Sequence, residues 1–172
     1  GVPVRATVSR NDQDPDTGEC DGTNNPDRIT GTSGIDLISG NGGNDRVLGL
    51  AGNDFVDGNQ GNDTGLLGAG DDSFQWDPGD GNDTIEGQDG TDAMLFNGSN
   101  GSEEFEASAN GARLRFTRQL GTIVMDTNDV EVVDLNALGS TDKSVVNDLS
   151  GTDVVEVNVD LAGTINGTTG DV

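Results

Sequence analysis

Eight aspartates recur in one stretch of the chain: Asp27, Asp36, Asp45, Asp54, Asp63, Asp72, Asp83 and Asp92. Six of the seven intervals are nine residues, and the one from Asp72 to Asp83 is eleven. Short carboxylates at a fixed period offer coordination of a hard divalent cation by oxygen. Gly34, Gly43, Gly52, Gly61, Gly70, Gly81 and Gly90 each stand two residues before one of them, and Asn44, Asn53, Asn62 and Asn82 stand immediately before four. These turn residues complete the candidate metal set, because calcium takes about 6–8 oxygens and two aspartates plus turn carbonyls can enclose it. Magnesium fits less well, wanting a smaller and more rigid octahedron.

The elements that must position these carboxylates follow from the same period. Gly40-Asn41-Gly42-Gly43-Asn44-Asp45-Arg46-Val47-Leu48 reads as a six-residue turn ending in Asp, then a three-residue strand whose middle residue points inward. The inward set is Ile29, Ile38, Val47, Val56, Phe74, Ile85 and Met94; Gly65 interrupts it, with Leu66 or Leu67 to fill the place. Trp76, in the two-residue insertion, is expected to fill core or plug an end. If two units make one coil, Asp27, Asp45 and Asp63 line one edge and Asp36, Asp54 and Asp72 the other. Such turns need positive φ and close approach of rungs, which glycine supplies and asparagine tolerates. Rungs about 4.8 Å apart place unscreened carboxylates where each pair repels by roughly 3 kcal/mol at an effective dielectric near 20. Without metal the chain is expected to be unfolded or loosely collapsed.

Composition agrees. The 172 residues carry a net charge of -24, with 30% hydrophobic and 3% aromatic residues, values that would mark disorder in a chain lacking a repeat. The acid is mostly aspartate, 25 residues against 7 glutamates. Nucleic acid is excluded as a partner by the negative field and the scatter of the eight basic residues. No apolar run of about 20 residues spans a membrane. The chain begins at Gly1 without a signal-peptide pattern, which reads as a processed product or an excised fragment. Cys20 stands alone, cannot form an internal disulfide, and is expected to be an exposed thiol or one joining two chains.

The units resemble the nine-residue Gly-Gly-x-Gly-x-Asp-x-aliphatic-x repeats of RTX (hemolysin-type) calcium-binding proteins. Asp36 through Asp92 stand at the family's metal position. Asp27 does so in a degenerate first unit, where Asn25 and Pro26 replace Gly-x, and Asn41, Leu50 and Thr32 replace the second glycine elsewhere. The resemblance implies an all-β fold, a parallel β-roll with calcium between successive turns on both edges. It also implies type I secretion, with folding delayed until extracellular calcium is met. Pairing the edge aspartates gives roughly four to six calcium ions.

Three regions are expected: a polar lead-in over 1–23, with Val2–Val8 as a short strand and Asn11–Asp16 as an acidic loop; the roll over 24–98; and an irregular β-rich region over 99–172. In the last, Asn110-Gly111 between alternating runs predicts a hairpin. Further strands are expected at Thr122–Met125, Val130–Leu135, Ser144–Leu149 and Val154–Leu161, two of them resembling a degenerate longer repeat. Arg113, Arg115 and Arg118 are expected to pair with Glu103, Glu104 and Glu106 across the hairpin.

The function expected is an extracellular calcium-binding module that folds on calcium and has a structural or display role in a secreted bacterial protein. The alternative is a self-assembling subunit of a calcium-dependent filament or surface layer, since open solenoid ends template addition of another chain. Partners are then calcium, neighbouring domains or other copies. No enzyme is expected: histidine and tyrosine are absent and Lys143 is the single lysine, which removes most acid–base and nucleophilic arrangements. Asp126 and Asp129 read as a solvated loop rather than a glycosidase dyad. Thr30, Thr64 and Thr84 form no continuous rank for a lectin or ice-binding face. The Asn-x-Ser/Thr triplets at Asn97, Asn100 and Asn166 reflect composition.

Overall fold

The computed structural model describes residues 7–9 and 20–161, which form strands and turns with no helix. Ten strands precede the hairpin: β1 (Thr7–Ser9), β2 (Cys20–Asp21), β3 (Arg28–Thr30), β4 (Leu37–Ser39), β5 (Arg46–Ala51), β6 (Phe55–Asp57), β7 (Thr64–Ala69), β8 (Ser73–Trp76), β9 (Thr84–Asp89) and β10 (Ala93–Asn97). Six follow: β11 (Glu104–Asn110), β12 (Arg113–Arg118), β13 (Ile123–Asn128), β14 (Val132–Asn136), β15 (Lys143–Val146) and β16 (Glu156–Asp160). Odd-numbered strands stack in one parallel sheet in the order β1-β3-β5-β7-β9, and even-numbered strands in the other as β2-β4-β6-β8-β10-β14-β16. Two nine-residue units therefore make one coil, as the spacing predicts: Val47 lies beside Ile29 and Gly65, and Val56 beside Ile38 and Phe74. This is a parallel β-roll followed by a β-rich region.

Between the sheets each rung contributes one inward side chain. Ile29, Ile38, Val47, Val56, Phe74, Ile85 and Met94 are all buried. Leu67 fills the place left by Gly65, and the Phe74 ring lies 3.1 Å from where a Cβ on Gly65 would stand. Trp76 is core: it is fully buried, stacks on Phe96 with centroids 4.1 Å apart, and donates its Nε1–H to the Gly81 carbonyl at 2.9 Å. Cys20 is not exposed as its polarity and isolation predicted. It occupies the inward place of the first rung, in register with Ile38, and is fully buried.

Past β10 the two sheets diverge. The even-numbered sheet continues without a break, β14 pairing β10 and β16 pairing β14. In the other, the antiparallel β11–β12–β13 unit is inserted, so that β13 rather than β11 pairs with β9. The hairpin turn is centred on Gly111-Ala112, one residue later than Asn-Gly predicts, and Asn110 pairs with Arg113. Gly111, at φ 68, suits the first central position of a two-residue type II′ turn. The expected strands are present with shifted ends: Thr122 and Val130 lie outside β13 and β14, and β15 stops at Val146. Of the N-terminal stretch only Thr7–Ser9 is described, pairing with β3; Val2–Ala6 and Asn11–Asp16 lie outside the described residues.

The arginine pairings need correction. Arg118 does bind Glu103. Arg113 turns instead to Glu86 and Asp126, Glu104 pairs with Lys143, and among the described residues Arg115 makes no ion pair.

Candidate metal centre

All eight aspartates end turns at the two edges of the roll, and all are at most 3% exposed. Their backbone and side chains form two ladders. On one edge Asp27 donates its N–H to Asp45 Oδ1, Asp45 to Asp63 and Asp63 to Asp83, at 2.7–2.8 Å. On the other, Asp36 donates to Asp54, Asp54 to Asp72 and Asp72 to Asp92, at 2.7–2.9 Å. One oxygen of each receiving carboxylate is thus committed to holding the rung before it.

The second oxygen divides seven of the turns into two kinds, the turn of Asp83 after the insertion standing apart. Asp27 Oδ2 accepts the Thr23 N–H and Asp36 Oδ2 the Thr32 N–H, at 2.5 and 2.6 Å. In the turns of Asp45, Asp54, Asp63, Asp72 and Asp92, the residue at the Thr32 place has positive φ: Asn41, Leu50, Asn59, Gly68 and Gln88. In these turns Oδ2 of all five aspartates is buried with no hydrogen-bond partner. A buried unpaired polar atom costs about 1–3 kcal/mol, and more when charged, so five in one phase call for a common ligand.

Backbone oxygens face the same place. A Cβ on Gly31 would stand 2.7 Å from both Asp36 Oδ2 and the Gly49 carbonyl oxygen. On Gly40 or Gly49 it would lie 2.7 Å from Asp45 or Asp54 Oδ2 and would overlap the Gly58 or Leu67 carbonyl of the next rung. Glycine five residues before the aspartate thus leaves a cradle between a carboxylate oxygen and a main-chain oxygen. Two turns lack it, having Leu67 before Asp72 and Pro78 before Asp83. The glycine two residues before the aspartate is required for closeness of another kind: at Gly61 (φ 155) and Gly52 (φ 120) a Cβ would overlap or crowd the Gly43 and Gly34 carbonyls beneath. Gly70, Gly81 and Gly90 repeat this stacking over Gly52, Gly61 and Gly70. Asn44, Asn53, Asn62 and Asn82 lie on the exposed rim, each side-chain oxygen accepting a backbone N–H of the next rung at 2.8–3.1 Å.

Burial dominates the electrostatics. It pushes the Asp63 carboxyl up to about 8, Asp83 to about 7, and Asp45, Asp54 and Asp92 to about 6, and it raises Asp72. The ladder N–H bonds partly oppose this, and neighbouring carboxylates add to it. At the two-residue insertion Asp80 is also raised to about 6 by burial, with Asp57 and Asp77 beside it. Among the described residues no three side-chain ligands gather at one point. Coordination here must therefore combine few carboxylates with main-chain oxygens, a hard-oxygen set that fits calcium.

Sequence reasoning missed one member of the series. Glu103 repeats the arrangement with a longer side chain: Oε2 accepts the Ser99 N–H at 2.7 Å and lies 2.6 Å from a Cβ placed on Gly98, with the Ala137 carbonyl at 2.8 Å. Its own N–H goes to Asp142 Oδ1 at 2.9 Å. Its cation is supplied by the chain, since Arg118 Nε and Nη2 both engage Oε1, and the guanidinium also lies 5.3 Å above the Trp76 ring. The signal was Gly98 and Gly101, five and two residues before Glu103.

A two-sheet parallel roll with acidic, glycine-stacked turns defines a class of metal-dependent solenoids. Residues 21–56, 40–74 and 79–103 match the family described as RTX calcium-binding nonapeptide repeat (4 copies). The repeat part of the chain belongs to that family, whose repeats bind calcium. Among solved structures, the chain is similar to the AlgE6R3 subunit of the Azotobacter vinelandii mannuronan C5-epimerase. The identity is 28% and the TM-score 0.44, over 62% of this chain and 72% of that one. Among curated proteins none matches. Among the described residues no helix is long and apolar enough to cross a membrane.

Proposed function

We propose that the chain is a calcium-dependent structural module of a secreted protein: calcium at the edge cradles orders the roll, which then stiffens or displays the parts joined to it. The ligands are the eight aspartates with turn carbonyls, in roughly four to six sites. The observation that carries this is the set of five buried Asp Oδ2 atoms without partners, three of which (Asp45, Asp54 and Asp92) share a glycine cradle with a main-chain carbonyl of the next rung. An outside location fits, because occupancy at an affinity on the order of 10⁻⁴–10⁻³ M needs extracellular calcium. Asp126 is held by Arg113, and Asp129 accepts from Asn128, so these two carboxylates are engaged in the fold.

A second reading, self-assembly, is favoured by one feature. Among the described residues β16 is the last strand of its sheet, and Val155, Val159 and Leu161 on and beside it are exposed. Light scattering behind a sizing column, in chelator and then in millimolar calcium, separates the two. Shrinkage at constant monomer mass supports the module; growth to high mass supports the filament or layer. No change in size or mass refutes both.

A further inference from the structure

On the edge that carries Asp36, Asp54, Asp72 and Asp92, the ladder continues past the last repeat. Asp92 donates its N–H to Glu131 Oε2 at 2.7 Å, the bond that each earlier aspartate makes to the next carboxylate. Glu131 is 39 residues further along the chain and beyond the hairpin. It arrives because β14 lies beside β10, with Val132 paired to Ala93.

The rest of the cradle is also present. Asp92 is fully buried and its Oδ2 has no partner. That oxygen lies 2.5 Å from where a Cβ on Gly87 would stand, and the same Cβ would overlap the main-chain oxygen of Asp129. Gly49, Asp54 Oδ2 and the Leu67 carbonyl stand in this relation inside the repeats. Asp129 holds a left-handed conformation, φ 50, at the point where its carbonyl is delivered. A segment with no repeat pattern has thus been bent to complete a repeat-type cradle.

We propose that Asp92, Glu131 and the Asp129 carbonyl form a further site for a hard divalent cation, half outside the repeats, which fastens β14 to the roll when filled. The proposal rests on the reading that the repeat cradles take calcium. The other edge provides the contrast: its cradle at Gly98 carries Glu103, and there Arg118 supplies the positive charge. No such cation faces Asp92 in its cradle, where Oδ2 stays unpartnered.

The test is calcium counting on the full chain by native mass spectrometry, with hydrogen exchange in saturating calcium, for the wild type and Glu131→Gln. Glutamine can still accept the Asp92 N–H, so the ladder bond alone is not lost. The expected result is one calcium fewer, the remaining sites within about twofold in affinity, and amides of 132–136 exchanging at least about tenfold faster. An unchanged count with unchanged exchange overturns the proposal. Should Glu131→Gln fail to fold in calcium, Glu131→Asp decides, since it keeps the charge but withdraws the carboxylate by one methylene. One site weakened about tenfold among unaltered ones supports the proposal, and all sites unaltered overturns it. A wild-type chain that binds no calcium refutes the repeat reading itself, before any variant is compared.

Discussion

If buried charge is what keeps the calcium-free chain open, protons should replace calcium. Asp45, Asp54 and Asp92 are lifted from 3.8 to about 6, first by burial. At about 1.4 kcal/mol per pH unit, holding any one of them ionised in the roll costs about 3 kcal/mol, and several such groups together cost more. Asp63 and Asp83, pushed to about 8 and about 7, add to this. Such a penalty matches the whole stability of an ordinary domain, about 5–15 kcal/mol. The sign is that of carboxyls which take up protons on folding. The penalty is complete above pH 8, shrinks as pH falls through the folded values between 8 and 6, and is gone below 3.8. Circular dichroism and scattering in chelator, from pH 8 to pH 5, should show strand signal and compaction appearing between about pH 7 and 5. That range stays above the isoelectric point near 4.1. In calcium the chain should be compact at pH 8, and acid should expel the metal. A calcium-free chain as compact at pH 8 as at pH 5 would refute the reasoning. So would one that gains no strand signal at all between pH 8 and pH 5 yet folds in calcium, because the metal would then supply geometry rather than neutralisation.

Asp54→Ala removes the acceptor of the Asp36 N–H as well as a cradle oxygen, so the calcium midpoint should rise and two adjacent sites should be lost; an unaltered titration curve shows that Asp54 is not a shared ligand. Arg118→Met leaves Glu103 buried without its cation and should destabilise the calcium-bound chain by about 3–5 kcal/mol, read as a fall in denaturant midpoint, with partial recovery in the Arg118→Met, Glu103→Gln double variant. Calcium withdrawal should expose the repeats first: in low calcium, amides of β3 to β7 should exchange before those of β11 to β13, and uniform exchange along the chain would count against a graded dependence.

The roll was legible because one period carries several signals at once. Every nine residues the sequence restates the turn, the carboxylate and the inward side chain, so Val47 and Val56 could be placed by position alone. Cys20 was misplaced because the first rung has lost its glycines and its aliphatic residue; only its register with Ile38 shows that it points inward. Glu103 was passed over because the carboxylate is carried on a longer side chain, although the glycine spacing is intact. Glu131 has no local signal at all. Its place depends on β14 docking beside β10 across the inserted hairpin, a long-range event that no window of residues encodes. The hairpin itself slipped by one residue because Gly111 can open a type II′ turn as readily as Asn110-Gly111 can form a type I′ turn.

The core changes along the axis, and one of the two edges changes with it. Inside the repeats a rung of nine residues buries a single aliphatic side chain, too little apolar surface to hold ordered backbone beside buried carboxylates. On the proposed reading a cation between those turns closes them. From β8 onward the core thickens: Trp76 stacks on Phe96, whose centroid lies 4.9 Å from that of Phe116 and 6.0 Å from that of Phe105. Each such ring can bury about 150–250 Å². At the same level the carboxylate of the series, Glu103, receives a guanidinium that also lies over Trp76. An arginine suits this place because its charge is fixed and its planar face packs on an aromatic ring. On the edge that ends in Glu103 the chain thus supplies its own cation beside the aromatic core, whereas on the other edge Asp92 keeps an unpartnered Oδ2.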